Sequence, residues 1–276
     1  MLTIAGFTFR EVLRKKVLAI AVVLTAVFLA LYGTALHYLA KDFVHMNPVM
    51  AKVAASQLFS AGLYLGGFIC SFLAILSGVG SISGEIENGT MYAIVPKPIR
   101  RRDIVLGKFI GYSSMLVVYA AAFFLALLGL VSWKTSLGVS GVAPALLLFC
   151  LQPLVLLSVT MWGTTVLSTL GTGIVVFMLY ALATIGGMIE QIGAMMRSAS
   201  LVNAGIISSL IMPADALYRR LSYTLLASSD NPMRALEQMG PFGSQSPPSN
   251  AMLLYTLVYM TAALSLAVRA FNRRDI

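Results

Sequence analysis

Residues 142–189 read VAPALLLFCLQPLVLLSVTMWGTTVLSTLGTGIVVFMLYALATIGGMI, and none of them is charged; the flanking charges are Lys134 and Glu190. About 20 apolar residues cross a bilayer at 1.5 Å per residue, so this run is far too long for one helix of ordinary tilt. It predicts two antiparallel spans, 142–170 and 173–189, joined by a tight turn at Gly171-Thr172. Apolar runs this continuous are helices, because barrel strands alternate in polarity and no other open structure satisfies its backbone in lipid.

Working outward, four further runs have the same character: 17–39, 58–82, 109–131 and 251–270. With 59% hydrophobic and 11% charged residues, the chain is too apolar to be built around a soluble core. The expected fold is an all-α integral membrane protein with six transmembrane helices, forming one membrane domain over residues 1–276. Arg10, Arg14, Lys15 and Lys16 before the first run also fit a signal peptide, but the run exceeds a typical signal core and no small-x-small cleavage site with a polar sequence follows.

Lys and Arg concentrate in the amino-terminal segment, the 83–108 loop and the carboxy-terminal tail. The opposite loops, 40–57, 132–141 and 191–250, carry fewer and offset them in part with acids. The positive-inside rule then places both termini in the cytoplasm of a cell-membrane protein. The formal charge of +9 follows from this topology and from anionic lipid, not from nucleic acid.

Three elements outside the spans carry structure. Residues 2–16 place Ile4, Phe7 and Val12 roughly on one helical face, with Arg10 and Arg14 toward its end. This is the pattern of an amino-terminal interfacial helix, or simply the flank of the first span. Residues 201–212 are apolar but reach only about 18 Å. Pro213 breaks them, and Asp215, Arg219 and Arg220 give the next helix a polar side. A re-entrant or outer-surface helical hairpin is expected between the fifth and sixth spans, followed by a turn-rich outer loop over 228–250.

The third element is the loop 83–108. Asn88-Gly89 predicts a turn, Thr90 a cap for a helix starting at Met91, and Pro96 and Pro98 its end. The result is a short helix across the inner membrane surface, with Glu85 and Glu87 at one end and Arg100, Arg101 and Arg102 at the other. Charge bias alone explains the arginines, but not Glu85, Glu87, Gly89 and Thr90 together.

Enzyme signatures are absent from the sequence: no His-Glu-x-x-His, Gly-x-Ser-x-Gly, Cys-x-x-Cys or phosphate loop. Gly107-Lys108 is followed by Phe109, not by the hydroxyl residue that a phosphate loop needs. The spans hold almost no ionisable groups, which argues against an ion-coupled carrier. Glu190, at a span end, is expected to reach the interface. Cys70 and Cys150 fall inside spans as small buried side chains. His37, His45, Met46 and Met50 lack a ligand spacing, so no metal site is expected. Gly62/Gly66, Gly80/Gly84 and Gly107/Gly111 have the spacing that lets helices approach closely, which is compatible with dimer packing.

Glu87-Asn88-Gly89-Thr90, Pro98-Ile99-Arg100 and Leu106-Gly107-Lys108 resemble the Glu-x-Gly-Thr, Pro-Ile-Arg and Leu-Gly-Lys motifs of the type-2 membrane subunits of ATP-binding-cassette (ABC) exporters. The span count, the amino-terminal helix and the outer hairpin fit that family along the chain. The resemblance implies a permease subunit paired with a second one, as homodimer or heterodimer, and with two copies of a separate ATPase. That ATPase would bind the ATP and Mg²⁺; no cofactor is expected in this chain. Coupling is then expected through Glu85, Glu87, Gly89, Thr90, Pro98 and Arg100, assisted by the amino-terminal helix with Phe7, Arg10 and Arg14. The alternative is a mechanotransmitting subunit that acts on an outer partner without moving a solute. Met212-Pro213-Ala214-Asp215 resembles the Asn-Pro-x-Asp segment of a branch described as acting in multicopper-enzyme maturation, with Met212 where Asn is usual. The apolar spans lean toward lipid-like, peptide or hydrophobic cargo without naming one.

Overall fold

The six apolar runs all form helices, but two begin well before their apolar part. In the computed structural model, which describes residues 1–43, 46–93, 100–135, 141–226 and 248–274, the chain reads α1 (Leu2–Leu13), α2 (Lys16–Phe43), α3 (Pro48–Val79), α4 (Ser83–Glu87), a 3₁₀ turn (Thr90–Ala93), α5 (Arg101–Thr135), α6 (Val142–Val166), α7 (Thr169–Met195), α8 (Ala199–Ile211), α9 (Ala214–Leu226) and α10 (Asn250–Arg273). Helices α2, α3, α5, α6, α7 and α10 are long and apolar enough to cross a membrane. No strand occurs among the described residues.

Helix α3 starts ten residues before its apolar run because Asn47 caps it, accepting the Val49 N–H at 3.0 Å, and Pro48 opens the first turn. Helix α5 starts at Arg101, so its first two turns carry charge. The turn between α6 and α7 lies at Leu167-Ser168, not at Gly171-Thr172. Both turn residues are extended, and Ser168 Oγ caps α7 by accepting from Gly171 N at 3.3 Å. Gly171 and Thr172 belong to the first turn of α7. Across the hairpin Thr172 packs on Gly163, where a Cβ would lie 2.7 Å from its Cγ2.

Helix α6 is the central post, packed against α3, α5, α9 and α10. Two apolar cores form along the bundle. One joins Val12, Met91, Ile104, Tyr112, Met161 and Phe271 near the end that holds both chain termini. The other joins Phe59, Leu63, Phe123, Phe124, Phe149 and Tyr218 toward the opposite end.

Helix α1 lies on α5 through Ala5, Thr8 and Val12. The Gly107/Gly111 pair makes this approach possible: a Cβ on Gly111 would sit 2.8 Å from the Ala5 carbonyl oxygen. Gly62 and Gly66 face the Tyr32 and Phe123 rings. These two glycine pairs therefore serve packing inside the chain. Phe7 does not lie on the buried face with Val12 as expected; it is 69% exposed while Val12 is buried. Successive residues turn by about 100°, which puts position 7 well away from the Ala5–Thr8–Val12 stripe.

After α7 the chain reverses at Arg197, whose φ of 54° is left-handed, and α8 runs back along α7. Gly186, Gly193 and Gly205 permit the contact: a Cβ on Gly193 would lie 2.6 Å from Leu201 Cβ. At Met212-Pro213 the chain bends by 111° into α9, which packs on α6. The polar side predicted for α9 does not face outward. Asp215, Arg219 and Ser222 are buried, because α6 and α7 cover that face.

Candidate functional site

Five residues after Ile82, helix α4 ends at a turn built as the sequence predicts. Asn88 N and Gly89 N bond back to Gly84 O and Ile86 O at 3.0 and 3.1 Å, and Gly89 takes φ 73°. Thr90 acts differently from expectation. Its hydroxyl donates to Glu85 O at 3.1 Å, closing the end of α4, and the described residues that follow, Thr90–Ala93, form a 3₁₀ turn. Threonine hydroxyls bond readily to nearby backbone carbonyls, which is an alternative to capping the next helix. Met91, fully buried, pins the turn to the core.

The two acids of α4 reach different spans. Glu85 Oε1 lies 2.5 Å from Lys108 Nζ of α5, and Lys108 also donates to Ser81 O. Lys108 is 5% exposed, so it is an internal brace and not a flank of the span entrance. Glu87 caps α7: Oε1 accepts Thr169 N–H and Oε2 accepts the Thr169 hydroxyl, each at 2.9 Å. A carboxylate here also meets the positive end of the helix dipole. Ser83 Oγ adds a third contact to Thr169 Oγ1 at 2.8 Å.

A second string of bonds was not legible in the sequence. Arg101 Nη1 donates to Phe271 O at 3.2 Å and Arg274 O at 2.6 Å, covering carbonyls at the end of α10. Arg274 Nη1 donates to Thr165 O of α6 at 3.0 Å. Helix carboxy-termini carry unmet carbonyls, and arginine is suited to several at once. Beside α4, Lys15 contacts Glu11 and the Tyr112 hydroxyl, each at 3.0 Å. Burial works against the Lys15 ammonium, yet Tyr112 and Glu11 outweigh it and hold its pKa above the ordinary lysine value. Arg10, Arg14 and Arg100 are exposed, as are Glu87, Asn88, Gly89 and Thr90. Pro98 and His45 lie outside the described residues.

A model described as ABC-2 family transporter protein matches residues 2–276. The chain belongs to the ABC-2 transporter family. A search of curated proteins gives no match. This ABC-2 protein is therefore a multi-pass membrane permease subunit of an ABC transporter, and its family implies an ABC ATPase as partner.

The ABC-2 permease also holds charge at the opposite half of the bundle. Arg219 of α9 is 1% exposed. Its Nη1 lies 2.5 Å from Glu190 Oε1 of α7, its Nε donates to Asp215 Oδ2 at 3.0 Å, and its Nη2 donates to Ser209 Oγ of α8 at 2.9 Å. Glu190 does not reach the interface as expected; it is 4% exposed. The α8 backbone lies on it, since a Cβ on Gly205 would overlap Glu190. The signal available in sequence was the Asp215/Arg219 pair at i, i+4 within an apolar hairpin, which specifies an ion pair but not which way it faces.

Proposed function

We propose that this ABC-2 permease is the membrane part of an exporter in which the α4 turn receives the motion of the ATPase and delivers it to two spans at once. The observation that carries this reading is the divergent bonding of Glu85 to Lys108 of α5 and Glu87 to Thr169 of α7. Hydrogen bonds to a charged group are stronger than those between neutral groups. A displaced turn therefore drags both helix ends or breaks those bonds. The exposed turn 87–90 and Arg100 form the docking face, and α1 flanks it through Arg10 and Arg14.

In this reading the chain pairs with a second permease and two ATPases, and ATP and Mg²⁺ are bound by the ATPases, so the chain itself is not an enzyme. Both termini are cytoplasmic in the cell membrane, Phe7 enters the membrane interface, and the α8–α9 hairpin is re-entrant from the outer side. Closure of the ATPases switches the spans between two states. Apolar or amphiphilic cargo suits the groove of about 550 Å³ between α3 and α7, lined by Phe72, Leu76, Ile174 and Phe177 with Glu87 at one end.

The test is co-expression with the partner ATPase. Glu87→Lys and deletion of residues 85–90 are expected to preserve insertion into the membrane while abolishing permease-dependent stimulation of ATP hydrolysis. Unchanged assembly and stimulation in both variants would refute the coupling role.

A further inference from the structure

We infer that Arg101 and Arg274 are positioning residues that tie α10 and the end of α6 into the coupling element, so that the docking face drives four spans and not two. The inference rests on the coupling role proposed for the α4 turn and extends it to the other part of the docking face, at Arg100.

Arg100 is exposed, and its carbonyl accepts the Asp103 N–H at 2.8 Å, which builds it into the first turn of α5. A push on Arg100 therefore reaches Arg101 without a flexible joint between them. Arg101 turns its guanidinium toward the end of α10, where Nη1 donates to Phe271 O, Asn272 O and Arg274 O at 3.2, 3.4 and 2.6 Å. The same guanidinium lies 5.9 Å from the centre of the Phe271 ring, within cation–π range. Phe271 is fully buried in the core shared with Met91 and Ile104.

Arg274 carries the string onward. Its carbonyl is held by Arg101, while its own Nη1 donates to Thr165 O at 3.0 Å. Thr165 lies in the last turn of α6, where carbonyls lack partners within the helix and form the negative end of its dipole. Thr165 and Thr169 stand on either side of the α6–α7 turn, so Arg274 holds one side of that turn and Glu87 the other. The two side chains are opposite in charge and within electrostatic reach of each other.

These bonds close on themselves. They run from α4 to α5 through Glu85 and Lys108, from α5 to α10 through Arg101, and from α10 to α6 through Arg274. Across the turn lies α7, which returns to α4 through Glu87. Helix α5 is gripped at Arg101 and again at Lys108, about two turns or 10 Å further along. Apolar packing of α10 on α5 and α6 is non-directional and lets packed helices slide. The bonds at the end of α10 are directional, and a ring has no free end, so displacing one member strains the bonds on both sides of it.

The test uses the full chain in complex with its ATPase, with spin labels at Asn88 and at Arg273, which is exposed at the end of α10. Between nucleotide-free and ATP-bound complexes the 88–273 distance is expected to stay fixed in wild type, and to change when Arg101→Met and Arg274→Met are combined. A purely structural loss would alter this distance equally with and without nucleotide. If the double variant does not fold, Arg101→Met alone serves and the same change is expected, because Arg101 makes three of the four bonds that anchor the end of α10. Labels at Ile174 and Val23, each paired with Asn88, separate the two failures. An 88–273 distance that changes in wild type, or that stays fixed in the variant, overturns the role of Arg101 and Arg274 alone when 88–174 is fixed and 88–23 shifts. A changed 88–174 distance, or an unchanged 88–23 distance, overturns the coupling role of α4 and this extension with it.

Discussion

The two halves of this permease handle charge in opposite ways. Near the chain termini, charged side chains are strung out singly, each spanning from one element to the end of another: Glu85 to Lys108, Glu87 to Thr169, Arg101 to the end of α10, Arg274 to the end of α6. In the hairpin half, three charges are gathered into one buried cluster around Arg219. A strung network transmits displacement, because no single bond fixes more than two elements. A compact cluster fixes three elements at once.

The contrast can be broken most forcefully at Arg219. Arg219→Met removes the guanidinium that contacts both Glu190 and Asp215, and removing one member of a buried ion pair costs about 3–5 kcal/mol. The variant is expected to lower the thermal unfolding midpoint sharply at neutral pH. Asp215→Asn, which removes one carboxylate charge and leaves the 2.5 Å pair between Arg219 and Glu190, is expected to stay within about 1 kcal/mol of wild type because the amide oxygen still accepts the Arg219 Nε–H. Equal losses in the two variants would show that packing, not charge balance, holds the hairpin.

A smaller effect is expected where α1 meets α5. Gly111→Ala brings a Cβ within 2.8 Å of the Ala5 carbonyl oxygen, a backbone atom that yields little, so overpacking of about 1–3 kcal/mol is expected. Protease access to α1 should rise while the spans remain folded. Smallest of all is Phe7→Ala. Phe7 is 69% exposed, so stability in detergent should hardly change, whereas binding of a synthetic α1 peptide to vesicles should weaken if this ring enters the interface.

Much of the fold was legible because the spans announce themselves by length. The 48-residue uncharged stretch at 142–189 required two helices whatever their neighbours, and Asn88-Gly89 required a turn. Boundaries were harder: Asn47-Pro48 and Ser168 set helix starts by local capping, which an apolar count does not see. Ser168 outranked the more turn-like Gly171-Thr172 because it offers an acceptor to Gly171 N. Sequence could mark Glu85 and Glu87 as unusual but not show that their partners are Lys108 and Thr169, more than twenty and eighty positions away. Glu190 was misread for the same reason. Its guanidinium partner Arg219 makes burial tolerable, and that pairing exists only once the hairpin has folded back along α7.

The central claim is that the α4 turn and the start of α7 move as one body when the ATPase acts. Pulsed electron-spin distances from a label at Asn88 test it directly, with second labels at Ile174 on α7 and Val23 on α2, all three exposed. Between nucleotide-free and ATP-bound complexes, the 88–174 distance should stay fixed while the 88–23 distance shifts. A changed 88–174 distance, or no change in either, would contradict the account.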